Sequence, residues 1–216
     1  MTDATKTLIA ALLDRSGSMK SCQLATETGF DELIAKQRSE PGDAEVTLSM
    51  FDDVYENVYA NLPIADVGPL SLLPRNTTAM LDAIGRFITE IGEDLAGLDE
   101  SDRPGTVICL IMTDGHENAS KEWSWDTVNA LITQQREQYN WKFIFLGANI
   151  NAVDVGSRIG VPMASAMTYS PDAISVGSAD ASAGAAITRG RFGGGMDFTD
   201  EDRRRAMGGG SKNKKT

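Results

Sequence analysis

Asp14-Arg15-Ser16-Gly17-Ser18 sets three oxygen-bearing side chains at alternating positions, directly after the apolar run Leu8-Ile9-Ala10-Ala11-Leu12-Leu13. Such a run reads as a strand buried on both faces, so Asp14, Ser16 and Ser18 can converge on one point just beyond its end. Gly17 has no Cβ and lets the backbone turn tightly between the two serines. One carboxylate with two neutral hydroxyls suits a hard divalent cation such as Mg²⁺, which takes oxygen ligands in octahedral geometry and keeps some water. Zinc, which favours Cys and His, is a poor match. Asp and Ser also stand in ordinary strand-ending turns, so the pattern gains meaning only from what the chain places at its other strand ends.

Two further segments supply that context. Arg75-Asn76-Thr77-Thr78-Ala79-Met80-Leu81-Asp82-Ala83-Ile84 is a loop running into a helix, with hydroxyls at both Thr77 and Thr78. Ile108-Cys109-Leu110-Ile111-Met112-Thr113-Asp114-Gly115 is a second apolar strand that ends in an acid and a glycine. Together with the first motif they resemble the metal-ion-dependent adhesion site of von Willebrand factor type A (vWA) domains, which combines Asp-x-Ser-x-Ser with a distant Thr and a distant Asp. Asp14, Ser16 and Ser18 match the first part, and Asp114 before Gly115 matches the last. Thr78 matches the Thr, because it precedes Asp82-Ala83-Ile84 by the spacing of the family's Thr-x-x-x-Asp-Ala-Ile run. Phe143-Ile144-Phe145-Leu146-Gly147-Ala148-Asn149 is similar to small bacterial and phage-encoded members. The resemblance covers about residues 5 to 170. It implies a metal set of Asp14, Ser16, Ser18, Thr78 and Asp114, with the aspartates acting directly or through bound water. The implied ion is Mg²⁺ (or Mn²⁺ or Ca²⁺), and its open position is filled by an Asp or Glu carboxylate from a partner protein, with no covalent step.

The elements that must position these residues alternate along the chain. Strands are expected over residues 7–13, 45–51, 54–60, 106–112, 141–146 and 166–169, with Asp52-Asp53 as the turn of a hairpin. Helices are expected over residues 18–38, 125–139 and 151–159, and another carries Met80, Ile84, Phe87, Ile88 and Ile91 on one face with Thr78 as its cap. Unbroken apolar strands between amphipathic helices predict an α/β fold: a doubly wound, mostly parallel sheet with helices on both faces. Ligands of such sheets bind outside the carboxyl ends of the strands, where Asp14 and Asp114 both fall. The vWA-like domain is expected over residues 1–170, followed by a Ser/Ala/Gly-rich extension over 171–192 and a flexible tail over 193–216. In that tail Thr199 and Asp202 resemble a helix cap.

Composition narrows the function classes. The chain has 216 residues and a formal net charge of −11, and four of its 31 acids and six of its 20 bases fall in residues 197–216. The body is therefore strongly acidic and should repel nucleic-acid backbones, so no nucleic acid is expected as a partner. No stretch is apolar enough to span a membrane and the first residues do not read as a secretory signal, so a cytoplasmic protein without membrane contact is expected. Cys22 and Cys109 read as two reduced structural thiols. His116, the one histidine, reads as a solvated loop residue, with a place near the metal as the alternative, and Arg15 and Arg75 read as solvent-facing, where either could pair with a partner carboxylate. Trp123 and Trp125 fit either a recognition rim or packing beneath the Asp114 loop. Asp197, Asp200, Glu201 and Asp202 are candidate carboxylates for the protein's own metal, in cis or between copies, which leaves self-association open. The expectation is a non-enzymatic, metal-dependent protein–protein interaction module. One alternative is a structural or assembly protein with an incidental metal site. The other is a phosphotransferase-like enzyme, whose second acid would fall at Ser16.

Overall fold

The computed structural model describes residues 2–209. Strands β1 (Asp3–Asp14), β2 (Asp43–Phe51), β3 (Tyr55–Pro63), β4 (Pro104–Thr113), β5 (Lys142–Ala148) and β6 (Ala166–Tyr169) form one six-stranded sheet in the order β3-β2-β1-β4-β5-β6. Only β3 runs antiparallel, as the hairpin partner of β2. The other pairings are parallel, with Leu8 beside Glu45 on one flank and beside Val107 on the other. The expected doubly wound fold is thus present.

The apolar run in β1 explains why this strand is central. Ile9, Ala11 and Leu13 face one layer and Leu8, Ala10 and Leu12 the other, all buried. The first layer is covered by α1 (Gln23–Ser39), α5 (Ala173–Arg191) and α6 (Asp200–Ala206). The second is covered by α2 (Met80–Gly97), α3 (Trp125–Tyr139) and α4 (Ala152–Arg158). With β2 on one side of β1 and β4 on the other, the strand order reverses at β1, which opens a crevice between the carboxyl ends of β1 and β4. No helix among the described residues is long and apolar enough to cross a membrane.

Three local expectations are corrected. The first helix does not run unbroken from Ser18: Gly17–Ser21 is a 3-10 turn, and the α-helix starts at Gln23. Thr78 does not cap α2, whose N-cap position is Ala79 with no side-chain cap. The free amides of its first turn are met from another loop, Leu81 by Glu117 (2.9 Å) and Asp82 by Ser120 (3.1 Å). That leaves the Thr78 hydroxyl available for other work.

The third concerns the extension and tail. Residues 173–191 form one helix packed along α1, and α6 carries the expected box in which Thr199 and Asp202 cap each other's backbone. Phe198 and Ala206 are buried. The pattern is faint in sequence because the contact uses small residues such as Ala179, Ala183 and Gly184, which let the helices approach closely without an apolar stripe. A Cβ on Gly29 of α1 would stand 1.8 Å from the Asp180 carboxylate of α5, so the two helices meet there in a notch that only glycine allows. The basic residues Lys212, Lys214 and Lys215 lie outside the described residues.

Candidate metal centre

Four of the five expected ligands are bound together directly at the β1–β4 crevice. Asp14 closes β1, and its Oδ1 accepts the Ser16 amide at 2.6 Å, which curls the chain back over the strand end. The Ser16 and Ser18 hydroxyls lie 3.1 Å apart, and Ser18 donates to Asp114 Oδ1 at 2.6 Å. Thr78 completes the group: a Cβ on Gly115 would stand 3.0 Å from Thr78 Oγ1 and 3.5 Å from Ser18 Oγ. Gly115 is therefore the floor over which these two hydroxyls approach, and a side chain there would push into them.

The loops are pinned by hydrogen bonds that involve no ion. Gly17 N–H donates to Asn76 C=O at 3.1 Å, and a Cβ at Gly17 would stand 3.3 Å from that oxygen. Arg75 N–H donates to Arg15 C=O at 2.8 Å. Asn118 holds Thr78 from both sides, its side chain accepting the Thr78 amide and its amide donating to the Thr78 carbonyl. Asp82 accepts the amides of Lys121, Glu122 and Trp123, which fastens the loop after β4 to α2. Because these bonds need no metal, chelation by EDTA should leave the far-UV circular dichroism spectrum unchanged. A loss of helical signal on chelation would make the ion structural.

Electrostatics agree with a cation site. Burial is the largest influence on Asp14 and raises its carboxyl; hydrogen bonds from Thr113 and Ser16 lower it and nearby Asp114 raises it again, with a net rise from 3.8 to about 6. Burial likewise raises Asp114, against the Ser18 hydrogen bond. Asp114 Oδ2 is buried with no hydrogen-bond partner, and an unmatched carboxylate oxygen is costly to keep dry. A divalent ion would meet that oxygen, the charge of both aspartates, and the neutral oxygens of Ser16, Ser18 and Thr78. The residues present therefore fit a divalent ion. Among the described residues no cluster of three or more His, Cys, Asp and Glu is present that could hold a metal, so hydroxyls must supply the remaining ligands.

Several supporting residues were not legible in the sequence. Thr113 donates to Asp14 Oδ2 at 2.5 Å and accepts the Gly115 amide at 3.2 Å, orienting both aspartate-bearing loops. Asp52, expected as a turn residue, is fully buried. Arg15, expected to face solvent, is buried as well and pairs with Asp52 (3.4 Å) and with Glu56. The physical reason is mutual: two arginines offset the charge of Asp52, and Asp52 anchors them. Burial raises the Asp52 carboxyl, but hydrogen bonds from Arg75 and the Val54 amide and the Arg15 charge outweigh it and hold the group below its ordinary range.

Other candidates stand elsewhere. His116 is exposed. Trp123 and Trp125 pack partly buried against the second core layer, with the Arg158 guanidinium 3.9 Å from the Trp125 ring centroid. The tail carboxylates do not reach the metal group in cis. Phe198 N–H donates to Ala164 C=O, before β6 begins and so at the opposite end of the sheet, while Asp202 is engaged by Thr199 and Ser182. Both cysteines are buried and free.

The sequence matches no protein-family model and no curated protein sequence. Among solved structures, the chain is similar to proximal thread matrix protein 1 of the mussel byssus, at TM-score 0.60 and 13% identity over 86% of this chain and 46% of that one. Another structure of the same mussel protein, with a zinc-occupied metal-ion-dependent adhesion site, aligns at TM-score 0.52 and 15% identity over 75% of this chain and 41% of that one. A von Willebrand factor type A protein from Catenulispora acidiphila aligns at TM-score 0.58 and 13% identity, over 85% and 43%. The vWF domain of the type V pili tip protein Mfa5 from Porphyromonas gingivalis aligns at 0.54 and 10%, over 84% and 94%. The chain spans less than half the length of the mussel and Catenulispora proteins. These likenesses establish a vWA-type fold.

Proposed function

We propose that this vWA-type fold serves as a non-enzymatic interaction module in which a Mg²⁺-type ion, held by Asp14, Ser16, Ser18, Thr78 and Asp114, receives a carboxylate from a partner protein. The observation that carries this reading is the hydrogen-bonded grouping of Asp14, Ser16, Ser18 and Asp114, with Asp114 Oδ2 left as a buried carboxylate oxygen without a partner. Bound there, a dication is balanced by two carboxylates yet stays electrophilic, since hydroxyls donate little charge, and so accepts one more anionic oxygen from outside. Thr113 and the Ser16 amide orient Asp14, Asn118 fixes Thr78, and Gly115 leaves the opening clear. The zinc in the mussel protein's corresponding site supports a divalent ion at this place in the fold.

The non-catalytic half of the reading is supported by the state of the cysteines and the histidine among the described residues, none of which is set up as an activated nucleophile or its base. Burial raises the thiol pKa of Cys22 and of Cys109, and His116 is exposed rather than hydrogen-bonded to a site hydroxyl. The test is affinity capture on immobilised protein in Mg²⁺, in EDTA, and with an Asp14→Asn bait in Mg²⁺. Proteins held only by the wild type in Mg²⁺ are the expected result. The same proteins held under all three conditions would leave a structural or assembly role with an incidental metal site.

A further inference from the structure

Arg75 sits on the loop that delivers Thr78 to the metal group, and its backbone is bonded to Arg15, next to Asp14. Its side chain is held in place. Nε donates to Asp52 Oδ2 at 2.6 Å, and Asp52 is itself fully buried, fixed by the Val54 amide at 2.7 Å and by the Arg15 guanidinium. Yet 51% of the Arg75 side chain remains exposed, and its two Nη groups take no acceptor among the described residues. Arg15 cannot play the same part, since it is buried and turned toward Asp52 and Glu56. Of the exposed acids nearby, Asp53 is engaged by the Asn76 side chain and Glu56 by Arg15. The loop that leads to Thr78 thus carries a guanidinium whose Nε is fixed by a buried carboxylate and whose Nη donors have no acceptor among the described residues.

We propose that Arg75 is a second anchor for the partner, so that the recognised feature is a pair of neighbouring carboxylates on an acidic segment. One carboxylate occupies the ion's open position, and the other accepts hydrogen bonds from the Arg75 Nη donors. This rests on the metal-dependent reading above. A guanidinium presents donors in a fixed fork that matches a carboxylate, and orienting it beforehand reduces the entropy lost on binding. The pair is solvent-facing, so its contribution is modest, about three- to ten-fold in affinity.

Small carboxylates test this without a known partner. With the protein saturated in Mg²⁺, amide chemical shifts are followed during titration with acetate and, separately, with succinate, glutarate and adipate. The expected result is a dicarboxylate of matching length binding about three- to ten-fold more tightly than acetate in the wild type, with the ratio falling to about one in Arg75→Gln and partly retained in Arg75→Lys. Because a ratio of two affinities is read, any change in the metal site itself cancels. Equal affinities in the wild type, or a preference that survives in Arg75→Gln, would overturn the anchor while leaving the metal-dependent reading standing. Failure of acetate and all three dicarboxylates to bind in a Mg²⁺-dependent way would overturn both.

Discussion

Mn²⁺ titrated calorimetrically into the wild-type protein is expected to bind at one weak site, and Asp14→Ala to lose about a hundred-fold or more in affinity. Removing even an outer-shell partner of a metal commonly costs 10- to 100-fold, and Asp14 supplies one of only two carboxylates in this group. Asp14→Asn is the cleaner variant, since it keeps the shape that receives the Ser16 amide while deleting the charge. Affinity should also fall as the pH drops through about 6, where the buried Asp14 carboxyl takes up a proton in competition with the ion. The metal-free protein should respond in the opposite sense. Its folded carboxyl titrates at about 6 against an ordinary 3.8, so the folded state binds more protons across that window and stability falls as pH rises through it. This group alone contributes up to about 3 kcal/mol of that loss. Saturating metal should flatten the slope. Equal Mn²⁺ binding by wild type and both variants would dismiss the assigned ligands.

Asp180→Asn is expected to stabilise the protein hardly at all near pH 4 and increasingly as the pH rises from there. Asp180 lies between α1 and α5, 2% exposed, and neither carboxylate oxygen has a hydrogen-bond partner. Burial first, and then the Glu32 charge on α1, push its carboxyl well above the ordinary range. Tyr169 on β6 is also buried, with its own hydroxyl unpartnered, and Gly29 on α1 closes the other side. No cation is among the groups that shift it. The folded protein therefore holds the Asp180 proton to higher pH than the unfolded chain, which releases it above about pH 4. From there up to the folded pKa, stability falls by about 1.4 kcal/mol per pH unit. The asparagine has no proton to take up, so its advantage over the wild type should grow across the same range in urea unfolding measured at several pH values. A difference independent of pH would mean that Asp180 is ionised in the folded state.

The sequence by itself determined the parts whose physics is local. An apolar run in β1, readable on both faces, declares a central parallel strand whatever surrounds it, and β6 lies where its residues alone placed it. The same holds for the closeness of Asp14, Ser16 and Ser18. Alternating Asp, Ser and Ser around Gly17 are close in the chain, so little beyond the backbone's own geometry is needed to bring their oxygens together.

Tertiary structure decided everything that depends on what lies opposite. Thr78 reads as a helix cap from sequence, but Glu117 and Ser120 arrive from another loop to meet the amides of α2 and leave its hydroxyl free of that role. Arg15 reads as a solvent-facing residue and Asp52 as a turn residue, and both are buried, because a charge is buried only when partners distant in sequence neutralise it, whereas Arg75 stays half exposed as expected. Helix α5 was faint because small residues gain their stabilisation from close approach to a particular neighbour, here α1 at Gly29, and that neighbour is invisible in a window of sequence. Asp180 is the extreme case. Nothing in its flanking residues marks it, and only the packing of two helices turns an ordinary aspartate into a buried acid with no partner.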